Sequence, residues 1–174
     1  MYKTDKIDLQ IIDFLMEDGR MPCAEIARRI GGISERAVRY RINRMVEEKL
    51  IQITAITDPK CAGFSVVADV WLQVEADMIR EVARKMAEYA NISYVAYAIG
   101  ETDVSIQVIA HNNEEVYEFV TEVVRKTPGV IKTTTSIVPE ILKDVYQWRI
   151  PHVAKANEIS SKLGSHPMTK RIKP

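Results

Sequence analysis

Two adjacent glycines, Gly31 and Gly32, separate a pair of short stretches with helical periodicity, and no other feature constrains the fold of this chain as tightly. Ahead of them, Ala24, Ile26, Ala27 and Ile30 are spaced to face inward from a helix whose start falls at Pro22, where a missing backbone donor is tolerated. Beyond them, Ser34 is a favourable N-cap, and Val38, Ile42 and Met45 follow at i, i+4 and i+7. Glycine is a poor helix former, so a pair of them ends one helix and makes the next start afresh in a new direction. A short turn between two amphipathic helices is the arrangement with which a helix-turn-helix offers its second helix to the major groove of DNA.

The second helix also carries the right chemistry on its outer side. At about 100° per residue, the face opposite the apolar stripe centres on Arg36, Tyr40, Asn43 and Arg44, with Arg39 and Arg41 on its flanks. Arginine suits phosphates and guanine edges, and asparagine suits adenine. Ser34, Arg36, Arg39, Tyr40, Asn43 and Arg44 are therefore the candidate DNA contacts, with Arg28 and Arg29 as added phosphate partners. Arg41 is expected to pair with Glu47 or Glu48. The chain has a formal net charge of zero, but residues 28 to 44 hold six arginines against Glu35 alone. Residues 52 to 138 carry seven basic side chains and twelve acidic ones, and residues 139 to 174 carry seven and three. Phosphate attraction depends on where cations cluster, so a neutral chain can still carry a DNA-binding patch.

Around this pair the periodicity places further elements. Ile7, Ile11, Ile12, Leu15 and Met16 form a helical stripe over residues 5 to 17, capped by Thr4 or Asp5 and stopped by Gly19. Ile51, Ile53 and Ala55 alternate with polar residues and predict a strand completing a winged module, and Asp58-Pro59-Lys60 marks a turn and linker. From Ser65 the period changes. Strands are expected at Val66 to Val74, at Val95, Tyr97 and Ile99, at Val104 to Val108, and at Val130 to Val138. Helices fall between, at Ile79 to Met86 and around Val116 to Val123. The order is βαββαβ, a ferredoxin-like unit with helices on one face of an antiparallel sheet. Its other face, with Trp71 and either Thr133/Thr135 or Lys132/Thr134, is left for a second copy to cover. The fold class is thus α+β, a winged helix-turn-helix followed by a βαββαβ domain. Its expected boundaries are 1–51 for the first domain, 52–64 for the linker, 65–145 for the second domain, and 146–174 for a partly flexible basic extension with a short helix near 153–163.

At 174 residues the chain has room for two small cores, and its hydrophobic share of 47% and charged share of 28% are ordinary for a globular protein. No apolar run reaches the roughly 20 residues that span a bilayer, and a cytoplasmic location is expected. Cys23 and Cys61 lie far apart, and His111, His152 and His166 are isolated, so neither a disulfide framework nor a metal site is expected. No catalytic constellation or phosphate-cradling loop presents itself, and no cofactor is expected.

An ordered set of short motifs resembles the Lrp/AsnC family of transcriptional regulators. Toward the N-terminus these are Asp5-x-x-Asp8, Ile11-Ile12-x-x-Leu15, Asp18-Gly19-Arg20, Glu25-Ile26-Ala27, Ile33-Ser34 and Arg41-Ile42-x-Arg44-Met45, running to Leu50-Ile51. The C-terminal half adds Asp58-Pro59 with Gly63, the Gly100-Glu101-x-Asp103 loop, and Pro128-Gly129-Val130 followed by Thr133, Thr135 and Lys143. The resemblance runs in register over about residues 4 to 145. It departs at Gly31-Gly32, one glycine more than the usual turn, and at Lys49, where a glycine is common.

This resemblance implies a non-enzymatic regulator of transcription that binds double-stranded DNA, assembles as a homodimer or higher homo-oligomer, and senses a small molecule. The effector implied is an amino acid bound between sensing domains near Gly100, Glu101, Thr102 and Asp103, with Thr133 and Thr135 lining the same cleft. Physically, amides of a glycine turn can receive a carboxylate, and Asp103 can pair with an α-ammonium group. An ordinary hairpin turn is the plainer alternative. Two other functions fit the architecture: an architectural DNA-binding protein without effector, and an enzyme resembling the siroheme decarboxylases. The His-Asn-Tyr stretch characteristic of those enzymes has no counterpart around Asn91 to Tyr97.

Overall fold

A computed structural model describes residues 3–151 and divides them into two compact units. Ile56–Leu142 forms one; the described residues up to Ala55, with those from Lys143 onward, form the other. The expected helix at 153–163, His152, His166 and the basic end lie outside the described residues.

The first unit is built from α1 (Lys6–Glu17), α2 (Cys23–Ile30) and α3 (Glu35–Glu47). Ile11, Ile12, Ile26, Ala27, Val38, Ile42 and Met45 form its core, with Ile7, Leu15, Ile30 and Ile150 packed around them. Ala24, expected inside, is exposed, and the half-buried Cys23 packs on the core in its place. α1 starts on Asp5, whose side chain accepts the Asp8 amide at 2.9 Å, while Asp8 accepts the Asp5 amide at 3.1 Å. At its other end Asp18, not Gly19, makes the stop: Asp18 turns to extended backbone and its carboxylate accepts the Arg20 amide. α3 ends with Lys49 in the left-handed region at φ 58°, the position glycine usually holds. The Leu50 amide donates back to the Met45 carbonyl at 2.9 Å and that of Lys49 to Val46 at 3.0 Å. A side chain in this conformation costs about 1 kcal/mol.

The strand expected at Ile51, Ile53 and Ala55 is not formed. Its backbone has no partner strand within the described residues, and the Ile51 amide is drawn to the Met45 carbonyl instead. Ile53 and Ile56 are left exposed.

The second unit follows the expected βαββαβ order: β1 (Val66–Val74), α4 (Ile79–Met86), β2 (Ile92–Tyr97), β3 (Val104–Ala110), α5 (Asn113–Glu118, continuing as a π-helical turn over Phe119–Val124) and β4 (Val130–Val138). The sheet is antiparallel throughout, in the order β2-β3-β1-β4. Val70, Leu72, Val104, Ile106 and Val108 on its inner face meet Val82, Met86, Val116, Val120 and Val124 from the helices. β2 starts earlier than its apolar alternation suggested and ends before Ile99, which is fully exposed. An irregularity between Ile92 and Tyr94 puts Ile92 and Val95 on the core side together; Tyr97, opposite Val104 at the end of the strand, and Ile99 beyond it stay exposed.

Registry also decides which threonines share a face with Trp71. Thr134 lies opposite Trp71 and Lys132 opposite Gln73, on the face away from the helices. Thr133 and Thr135 lie opposite Leu72 and Val70, on the helix side.

Candidate nucleic-acid interface

The exposed side of α3 begins at its cap. Ser34 Oγ accepts the Ala37 amide at 3.2 Å, which satisfies one of the free donors of the first turn and leaves the hydroxyl proton available to a ligand. Val38, Ile42 and Met45 are buried, so α3 is held with its remaining faces fixed. Arg36, Arg39, Tyr40, Asn43 and Arg44 are all exposed, Tyr40 by 65% despite its size. Gly31 and Gly32, the turn before it, both adopt positive φ, 72° and 69°, a pair of conformations that side chains rarely take.

The cationic patch is less free than its sequence suggests. Glu25 accepts Arg28 Nε and Nη2 at 2.8 and 2.6 Å and Arg29 Nε at 2.7 Å. Arg28 first, then Arg29, hold the Glu25 carboxyl down to about 2. Arg39 is paired with Glu35 one turn earlier. These pairs are exposed, and exposed ion pairs add little to stability, so a phosphate can take the place of the glutamate at small cost.

Arg41 behaves differently. Its Nη1 donates to Asp5 Oδ2 at 2.7 Å and to Asp8 Oδ1 at 2.8 Å, not to Glu47 or Glu48. Helix neighbours lie three and four residues apart, and both glutamates are too far along α3, whereas the N-terminus of α1 lies alongside. The Asp8 amide, and after it Arg41, lowers the Asp5 carboxyl below its usual value.

In the second unit the Gly100 to Asp103 loop is pinned to the end of β1. Asp103 donates its amide to the Leu72 carbonyl at 2.9 Å and accepts the Val74 amide on Oδ2 at 2.8 Å; Gln73 Nε2 donates to the Glu101 carbonyl at 3.2 Å. Thr133 lies opposite the same Leu72, so it and the loop occupy one end of the sheet, with Thr135 two residues farther along β4. Gly100 and Glu101 are exposed, and Thr102 and Asp103 half-buried. Sequence spacing did not anticipate that the aspartate closes onto β1 rather than onto its own loop.

Among the described residues, no group of His, Cys, Asp and Glu side chains converges as a metal site, and no helix is long and apolar enough to cross a membrane. Cys23 and Cys61 are unbridged.

Residues 5–46 match the AsnC-type helix-turn-helix domain, and residues 67–148 match the Lrp/AsnC ligand binding domain. An uncharacterized HTH-type transcriptional regulator of Pyrococcus furiosus is 36% identical over 140 residues, spanning 80% of this chain and 94% of its own length. The HTH-type transcriptional regulator FL11 of Pyrococcus horikoshii is 35% identical over 141 residues, spanning 80% and 92%. In fold, the chain matches AsnC of E. coli with a TM-score of 0.77 at 21% identity, over 83% of this chain and 99% of that one. A transcriptional regulator of Neisseria meningitidis in complex with L-Met gives 0.75 at 21% identity, over 82% and 94%. With both of its domains matched and relatives of this closeness along four-fifths of its length, the chain belongs to the Lrp/AsnC family of transcriptional regulators and carries that family's helix-turn-helix DNA-binding domain.

Proposed function

We propose that this regulator acts as a homo-oligomer that inserts α3 into the major groove at paired half-sites and is modulated by an amino acid bound at the Gly100 to Asp103 loop. The observation that carries the DNA reading is the division of α3 into a buried stripe of Val38, Ile42 and Met45 and an exposed face of Arg36, Arg39, Tyr40, Asn43 and Arg44. Twofold assembly would present two such helices to inverted half-sites separated by whole turns of DNA, about 10 base pairs each. Support for self-association comes from the sheet face turned away from the helices. Trp71 and Val138 lie there half-buried, beside an ordered polar row in which Gln107 donates to Asp69 at 3.0 Å.

The effector reading draws support from Gly100. It lacks the positive φ that would call for glycine, and a Cβ placed on it meets nothing within 4 Å. Neither backbone nor packing within the chain demands glycine there, which is what a backbone kept open for a ligand would require. Asp103 is a poorer probe, because removing its carboxylate also strips the partner from the Val74 amide. Titration calorimetry of the full chain against each of the twenty amino acids should yield heat with at least one. Gly100→Val should weaken that binding at least tenfold with no change in the unfolding midpoint. No heat and no thermal shift with any amino acid contradicts the effector and leaves a DNA-binding protein of architectural type.

The cytoplasm is the compartment this reading requires, since the DNA it binds is there. Domain limits follow the same logic: a DNA-binding domain to residue 51, a linker over 52–64 and a sensing domain over 65–145.

A further inference from the structure

Asp8 is the one polar or charged residue fully buried among those described, with 1% of its surface exposed. Its carboxylate and that of Asp5 are used reciprocally. One oxygen of each accepts the other residue's amide, and the second oxygen of each accepts Arg41 Nη1, closing a ring between the start of α1 and the middle of α3. Arg41 itself is 28% exposed. Beside the ring lies a shallow cavity of about 380 Å³ bordered by Lys3, Tyr40 and Arg44. The ring therefore sits at the margin of the candidate DNA face, one residue from Tyr40 and one helical turn from Arg44.

We infer that Arg41 is a positioning residue for DNA recognition: anchored by Asp5 and Asp8, it sets the rotation and height of α3, and so the reach of Tyr40 and Arg44, without pairing with a phosphate itself. The inference rests on α3 being the helix that reads DNA. Its physical ground is an asymmetry among the arginines. Arg28, Arg29 and Arg39 can leave exposed glutamates for a phosphate, but Arg41 could leave only by abandoning a buried carboxylate, an expensive step. A single guanidinium nitrogen shared between two carboxylates makes two charged, directional hydrogen bonds, which suits it to fixing the relation of two helices.

The test uses the full chain, a duplex selected from random sequence by the wild type, and a scrambled duplex of equal length. Arg41→Ala strands the Asp8 charge and risks unfolding. The informative variant is therefore Asp8→Asn/Arg41→Gln, which replaces the charges by amides and leaves net charge unchanged. An apolar swap, Asp8→Leu/Arg41→Met, stands in if the amide pair does not fold. Once a thermal transition shows a folded protein, affinity for the selected duplex should fall about tenfold relative to the scrambled one, the worth of one good base contact. Its salt slope on scrambled DNA should stay at the wild-type value, whereas Arg36→Ala should lower the slope by about 0.9. An unchanged selected-to-scrambled ratio in a folded variant overturns the inference, as does a slope lowered like that of Arg36→Ala. A wild type that enriches no sequence at all overturns the reading of α3 itself and, with it, this role for Arg41.

Discussion

Replacing both Arg36 and Arg39 with alanine should lower affinity for duplex DNA roughly tenfold to a hundredfold and cut the slope of log affinity against log salt by nearly two, about 0.9 for each phosphate partner removed. The unfolding midpoint should barely move. Both side chains are exposed, the buried stripe of α3 is untouched, and the ion pair lost is Arg39–Glu35, worth a few tenths of a kcal/mol by its spacing. A mobility-shift titration at several salt concentrations reads both quantities at once. Wild-type affinity together with a wild-type slope would remove this face of α3 from the interface.

The second large effect concerns folding. Gly129→Ala should destabilise the sheet unit by roughly 2–4 kcal/mol, a combined result of backbone strain and overpacking. Gly129 sits at φ 87°, and a Cβ built there would lie 2.7 Å from Met78 Cβ and 3.1 Å from Met78 Cγ, at the point where β4 enters the sheet. Met78 cannot simply swing away, because the nearest clash is with its own Cβ, fixed by the start of α4. The Gly129 carbonyl also accepts the Glu75 amide at 2.8 Å, so a shift of this turn disturbs the end of β1. For a unit of this size the melting midpoint should fall by roughly 10–20 °C, followed by far-ultraviolet circular dichroism. An unchanged midpoint would mean that the turn relaxes freely. The contrast with Gly100 is informative: one glycine is required by its own chain, whereas the other has open space around it.

Much of this architecture was legible because apolar residues report burial directly. The stripe of Val38, Ile42 and Met45 predicted the buried face of α3, and the strand alternation of β1 predicted its inner row of Val70, Leu72 and Val74. What the spacing could not show were interactions between residues distant in sequence. Arg41 finds Asp5 and Asp8 across more than thirty residues, whereas the local pattern of α3 offered it only Glu47 and Glu48. Glu25 was the opposite case, since its positions three and four residues before Arg28 and Arg29 already encode the pairs. The strand anticipated at Ile51 to Ala55 failed for a reason alternation cannot express: a strand needs a partner, and within the described residues that stretch has none. In the loop, Gly100 and Asp103 stood out by type, but only the register of β1 revealed that Asp103 ties the loop to Val74.

If paired copies of α3 read DNA through their arginine-bearing face, selection of bound duplexes from a random pool by the full-length protein tests it most directly. The expected result is an enriched sequence of two inverted half-sites whose centres lie a whole number of helical turns apart, in steps of about 10 base pairs. Enrichment should be lost when Arg36 and Arg39 are both alanine. No enrichment by the wild type, or an enriched sequence that the double variant recovers equally well, would contradict this mode of recognition.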